Sequence, residues 1–269
     1  MPDLVFGGSI PELYDRYLVP LIFEVYADDL VARLAGRAPA DVLEVAAGTG
    51  AVTRIMAAGL PPSTAITASD LSQPMLDYAA SVGTARPVRW QQADAMDLPF
   101  DDASFDAVVC QFGVMFFPDR TQGYAEVWRV LRPGGTFLFN VWDQIDNNEF
   151  AKAVQDALGA VFPDDPPTVL AQGPYGYFDV EAIRAQVISG GFTGPVEVDV
   201  LEARSRAASC DVPAIGFCQG SPLRNAIEAR DPARLAAATA AASETVRQRF
   251  GKTDIDGKVR AYVVTARKT

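Results

Sequence analysis

Three acidic residues and one glycine turn are the parts of this chain most able to do chemistry. Glu44 lies inside the run "VLEVAAGTG", which closes on Gly48, Thr49 and Gly50; Asp70 follows in "AITASD" and Asp94 in "QQADAMDLPF". Small residues at the end of a strand let a ligand approach the backbone and aim free N–H groups at it. A carboxylate about 20 positions past such a turn is placed to accept from ribose hydroxyls, and Asp70 occupies that place. A dinucleotide fingerprint needs G-x-G-x-x-G. Here Gly48-x-Gly50 is followed at the third place by Thr53 and preceded by Ala46. Glu44 beside the turn would repel a pyrophosphate and attract an ammonium.

The absences are as informative. The chain of 269 residues contains no histidine, which removes the Ser-His-Asp and Cys-His arrangements, HExxH metalloenzymes and most zinc sites. Cys110, Cys210 and Cys218 fit neither a disulfide framework nor a CxxC pattern and read as free thiols, so no metal site is expected. A net charge of -11 and a pI near 4.5 argue against nucleic acid, whose affinity comes from clustered Lys and Arg. The first thirty residues carry Asp3, Glu12, Asp15 and Glu24 and do not read as a signal peptide. No apolar run is long enough to span a bilayer. The expected address is the cytoplasm.

These groups need elements to position them. With 49% hydrophobic and 21% charged residues, the chain can bury one large α/β core, with insertions. Apolar spacing at Ile22, Tyr26, Leu30 and Leu34 predicts an N-terminal helix stopped by Gly36 and Pro39. From Asp41, short β-rich runs alternate with helical stretches as far as "GTFLFNVW", which implies right-handed crossovers and a parallel sheet covered on both faces. "LRPGG" reads as a turn, and Phe116, Phe117 and Trp128 as core. Past Trp142 the pattern loosens into a helix, the Pro-, Gly- and aromatic-rich "PDDPPTVLAQGPYGYF", a helix and the strand "VEVDVLEAR". A helical insertion over 207–250 and a last strand "KVRAYVVTAR" follow. The expected division is an N-terminal helical lid over 1–40, a binding core over 41–142, and the rest of the sheet over 143–269. Lid segments are expected near 143–178 and 207–250.

The ordered set of "EVAAGTG", Asp70, "QQADAMDLPF" and "LRPGG" resembles the class I S-adenosylmethionine-dependent methyltransferases, in the branch similar to ubiquinone and menaquinone biosynthesis methyltransferases. The resemblance runs from about Tyr14 to Trp142 and, as fold only, to the end. It implies a Rossmann-like, seven-stranded, mostly parallel sheet with helices on both faces and helical lid insertions. It implies S-adenosyl-L-methionine as cofactor, with Glu44 near its amino group and Ala46, Ala47, Gly48 and Gly50 along its methionine half. On the same terms Asp70 takes the ribose hydroxyls, with Leu71 and Met75 beside the adenosine. Asp94 and the Ala95 backbone meet the adenine, and Cys110 and Gln111 line the sulfonium side. Tyr14 and Tyr17 resemble the family's lid. Ala46 departs from the family's first glycine; alanine permits close approach but opposes a positive φ.

Methyl transfer from a sulfonium is an in-line displacement in which positive charge vanishes from sulfur. A carboxylate held against that sulfur would therefore favour the ground state, so Glu44, Asp70 and Asp94 are expected at the cofactor's ends. The expected partner is a small-molecule methyl acceptor, aromatic or apolar, entering under lids that contain Tyr175 and Tyr177. Any general base must be a tyrosine or carboxylate, and the catalytic residue is unknown. Two other classes stay open: a cofactor-binding protein without transferase activity, and a nicotinamide oxidoreductase, which the missing G-x-G-x-x-G and Tyr-x-x-x-Lys disfavour. A thiol-dependent arsenic methyltransferase would need a closer cysteine spacing. Oligomeric state is open, a homodimer included.

Overall fold

The computed structural model describes residues 7–269; Asp3 of the signal-peptide argument lies outside them. The strands are β1 (Asp41–Val45), β2 (Ala65–Asp70), β3 (Arg89–Gln92), β4 (Phe105–Gln111), β5 (Leu131–Trp142), β6 (Glu197–Ser209) and β7 (Thr253–Arg267). The helices are α1 (Ile10–Leu13), α2 (Glu24–Ala35), α3 (Ala51–Gly59), α4 (Gln73–Val82), α5 (Arg120–Val130), α6 (Glu149–Val161) and α7 (Val169–Gln172). They continue as α8 (Val180–Ser189), α9 (Asp211–Gln219), α10 (Leu223–Arg230) and α11 (Leu235–Phe250), and a π-helix spans Tyr14–Phe23.

The strands form one seven-stranded sheet in the order β3-β2-β1-β4-β5-β7-β6. β1 pairs in parallel with β2 and β4, β2 with β3, and β4 with β5. The strand order therefore reverses beside β1, and in an open sheet that switch point is where ligands sit, outside the carboxyl ends. The long strand β7 runs against β5: Gly134 donates to the Lys268 carbonyl and Lys268 to that of Gly135.

The chain divides into two compact units. The first is Val25–Val141, Phe178–Leu201 and Ala261–Thr269; the second is the described residues up to Glu24, with Trp142–Tyr177 and Glu202–Arg260. In the first, strand alternation sorts the core into two layers. Val42, Ile66, Ala107, Val109 and Leu138 face Leu30 and Leu34 of α2 and Val52 and Met56 of α3. On the other face Phe137 and Phe139 stack at 4.7 Å and meet Tyr124 of α5 and Phe192. Both faces are covered, so the central strands read as near-continuous apolar runs.

In the second unit α6, α9 and α11 pack together and α9 packs on the π-helix. A β-carbon at Gly216 would stand 2.9 Å from Leu18, so the close approach of α9 depends on glycine there. An aromatic chain links distant segments: Tyr14 stacks on Phe23 (5.1 Å), Phe23 meets Trp142 (5.7 Å), and Trp142 stacks on Tyr175 (5.7 Å).

Two local features differ from the sequence reading. Helix begins at Ile10 instead of near Ile22: Pro11 fits the first turn, where no N–H is needed, and Pro20 farther on is accommodated by wider π turns. "LRPGG" lies inside β5, where Gly134 at φ 81° and a register shift opposite Phe105 and Ala107 make an irregularity in a continuous strand. In α2, which belongs to the first unit, Tyr26, Leu30 and Leu34 are fully buried.

Candidate functional site

The site is built mainly from backbone at the carboxyl ends of β1 and β2. After Val45 the chain turns through Ala46 (φ 55°), Gly48 (φ 55°) and Gly50 (φ 81°) into α3. Ala47 donates to the Ser69 carbonyl (2.9 Å) and Gly50 to that of Ala47 (2.9 Å), tying the turn to β2 and to itself. Gly50 is needed twice over: its φ is left-handed, and a β-carbon would come within 3.1 Å of Trp90 and 3.2 Å of Ala79. A β-carbon at Gly48 would meet nothing within 4 Å; it would project into the space where backbone can approach a ligand.

Asp70 closes this turn. One carboxylate oxygen accepts from the Gly48 N–H (2.8 Å) and the other from the Ser72 N–H (2.7 Å). Burial raises its pKa, and the N–H donors of Ser72 and Gly48 oppose that rise. The Leu71 backbone is a third donor, which still leaves the carboxylate capacity for a further one. The Ala93 N–H donates to the Asp70 carbonyl (3.0 Å), which brings the end of β3 alongside. There Asp94 accepts from the Met96 N–H (2.9 Å).

Glu44 is fully buried, and its carboxyl takes a hydrogen bond from the Thr53 hydroxyl of α3. Burial, together with the neighbouring Asp70 charge, pushes its pKa to about 8 against the lowering effect of Thr53. The group is therefore mostly protonated near neutral pH in the free chain. An ammonium brought beside it would favour the ionised form.

The structure brings Glu44, Ala46, Ala47, Gly48, Gly50 and Asp70 into one connected turn. Leu71 follows as one of the most exposed large apolar residues, at 65%. Met75 and Ala95 are buried. Cys110 is buried and its thiol is pushed up to about 12, chiefly by desolvation, so it stays neutral. Gln111, in register with Asn140, ends β4. Tyr14 and Tyr17 belong to the second unit, where Tyr14 stacks on Phe23 and Arg16 lies over the Tyr17 ring. Among the described residues no group of His, Cys, Asp and Glu could hold a metal ion.

Sequence reasoning missed Thr53, Ser72, Phe112, Gly113 and Asn140. Thr53 lies nine residues beyond Glu44, in the first turn of α3, and Ser72 two residues beyond Asp70, a readable signal in the second case. Asn140 carries none: it is fully buried in β5, and both side-chain polar atoms lack a hydrogen-bond partner among the described residues.

A parallel sheet with its order reversed beside β1, and a glycine turn with a buried acid on the next strand, defines a nucleoside-binding α/β fold. The comparisons agree. Residues 43–139 match the family model described as Methyltransferase domain. The Deinococcus radiodurans demethylmenaquinone methyltransferase is 41% identical over 133 residues, 49% of this chain and 52% of that protein. The Stutzerimonas stutzeri ubiquinone/menaquinone biosynthesis C-methyltransferase UbiE is 30% identical over 205 residues, 71% of this chain and 75% of that one. The chain thus spans about half of the first relative's length and three quarters of the second's. The Bacillus subtilis YcgJ protein shares the fold at TM-score 0.57 and 20% identity, over 91% of this chain and 98% of that one. So does a Haemonchus contortus phosphoethanolamine N-methyltransferase 2 in complex with S-adenosyl-L-methionine, at TM-score 0.58 and 16% identity over 96% and 56%. The chain belongs to the class I S-adenosylmethionine-dependent methyltransferases, and within them it resembles the UbiE group.

The turn suits that family's cofactor. Gly48 leaves open space beside left-handed backbone, and Asp70 has acceptor capacity to spare. The Thr49 hydroxyl in the turn is buried with no partner among the described residues.

Proposed function

We propose that this protein transfers a methyl group from S-adenosylmethionine to a small aromatic or apolar acceptor. The observation that carries the reading is the Ala46–Gly50 turn clasped by Asp70, in a chain of the methyltransferase family. The bound cofactor supplies an activated methyl group on a sulfonium. Asp70 would accept from the two ribose hydroxyls. Glu44 would pair with the amino group, Asp94 with the adenine amino group and the Ala95 N–H with the ring. Leu71 and Met75 would flank the adenosine, and Cys110 and Gln111 would border the sulfonium side. Ala46, Ala47, Gly48 and Gly50 would carry the methionine half past the strand end.

The protein's contribution is then positioning and exclusion of water, worth up to roughly 7–11 kcal/mol when reacting atoms are aligned. Cys110, neutral up to about 12, is no base. A phenolic or enolic acceptor that ionises by itself needs none.

The acceptor proposed is a hydroquinone-like ring, following the relatives named for quinone methylation. The aromatic chain from Tyr14 to Tyr175 in the second unit supports this. No helix of the described residues is long and apolar enough to cross a membrane, and the proposed workplace is the cytoplasm. Incubation with methyl-labelled S-adenosylmethionine and a reduced naphthoquinone should give labelled product that disappears in Asp70→Ala. Cofactor binding without label transfer to any of a panel of phenols, hydroquinones and amines would leave only the binding role.

A further inference from the structure

The carboxyl end of β4 turns a corner at Phe112 and Gly113 that the cofactor reading does not use. Phe112 is left-handed at φ 53°. A non-glycine residue in that region is strained and persists only where its surroundings enforce it. Here the Phe112 N–H is held by the Asn140 carbonyl of β5 (3.2 Å), and the ring meets Tyr26 edge-on at 5.3 Å. Gly113 has φ −100° and ψ −39°, a conformation open to any residue, so its lack of a side chain answers a need for space. A β-carbon there would stand 2.4 Å from the Ala46 methyl and 2.7 Å from the Cys110 sulfur.

Ala46 presents the inverse. Its φ of 55° favours glycine, yet it carries a methyl group. The side chain is present where the backbone resists it and missing where the backbone would accept it. Two strained residues thus meet across Gly113, between the carboxyl ends of β1 and β4.

The sheet order says which part of a cofactor lies there. Asp70 and Asp94 end β2 and follow β3, on one side of β1; β4 lies on the other. A cofactor whose nucleoside is held at β2 and β3 must extend its sulfur end across β1 toward β4. We propose that Gly113 is a positioning residue of the transfer site, acting through Ala46. Its missing side chain lets the Ala46 methyl form the floor on which the reacting end of the cofactor rests. The inference rests on the methyltransferase reading and adds to it the residue pair that sets the height of that floor.

The test compares S-adenosylmethionine with S-adenosylhomocysteine, which differ at sulfur by the transferable methyl and its charge. Kd for both is measured by calorimetry on wild type, Ala46→Gly, Gly113→Ala and the double variant. Ala46→Gly keeps the turn and removes the floor, so the ratio of the two Kd values should move at least about threefold. A merely structural role would shift both ligands equally. Gly113→Ala should weaken both by at least about tenfold, and Ala46→Gly in the same chain should recover much of the loss, since residues in contact couple strongly. The Cys110 sulfur can turn away about its side-chain bond. If Gly113→Ala does not fold, the Ala46→Gly ratio still decides. An unchanged ratio in Ala46→Gly, or strictly additive effects in the double variant, overturns the proposal while leaving the methyltransferase reading in place. Failure of wild type to bind either ligand sinks that reading instead.

Discussion

The two units of this chain hold their candidate functions by different means. In the first, the turn after β1 is fixed by backbone: three left-handed residues, N–H groups aimed at one carboxylate, and a buried acid beneath. In the second, the distinctive feature is side chain on side chain, an aromatic stack running from Tyr14 through Phe23 and Trp142 to Tyr175. A backbone site tolerates little variation, because each position answers to φ or to a contact at about 3 Å. A buried aromatic stack can be rebuilt from other bulky residues. The first arrangement suits a ligand shared across a family, and the second suits one that varies between members.

That contrast can be broken most sharply at Asp70. Asp70→Ala removes the acceptor for Gly48 and Ser72 and for the ribose. It should lower S-adenosylhomocysteine affinity by at least about a hundredfold, since hydrogen bonds to a charged group are worth ~1.5–3 kcal/mol each. Calorimetry reads this directly, and an affinity within a few-fold of wild type would refute the assignment.

In the second unit, Tyr175→Leu should raise the acceptor KM by about tenfold, roughly the value of a lost aromatic contact. Cofactor Kd should stay where it is. Equal loss of both would mean that the two functions are not divided as drawn.

Glu44 gives a pH test. Its folded pKa of about 8 lies above the usual 4.5, so the folded chain keeps a proton that the unfolded chain has released. Stability therefore falls as pH rises through that window, and Asp70, also raised, acts in the same direction. Glu44→Gln should flatten the dependence of Tm on pH between about 5 and 8. The wild type should also bind cofactor more tightly as pH rises from about 6 to 7.5, while the amine is still charged. Glu44→Gln should lose that slope.

The smallest effect belongs to Asn140. Its carboxamide is buried without a partner among the described residues, so Asn140→Leu, close in volume, should raise stability by about 1 kcal/mol in urea unfolding. A loss of stability would show that the amide is already satisfied.

The alternation of strands and helices, the parallel sheet, the glycine turn and the order Glu44, Asp70, Asp94 were legible in the sequence. Local periodicity, φ demand and residue charge are properties of short segments, and short segments can be read alone. The protonation of Glu44 was not, because an acid inside a strand gives no hint of being wholly buried with Thr53 its hydrogen-bond partner. Nor was the left-handed Ala46, which the sequence shows only as a missing glycine; its strain is held by contacts at β2 and at Gly113, 67 residues away in the chain. The sequence by itself determined which chemistry the chain carries and on what kind of sheet. Tertiary structure alone decided which groups are charged and which side chains abut. Desolvation and close packing depend on neighbours that only folding brings together.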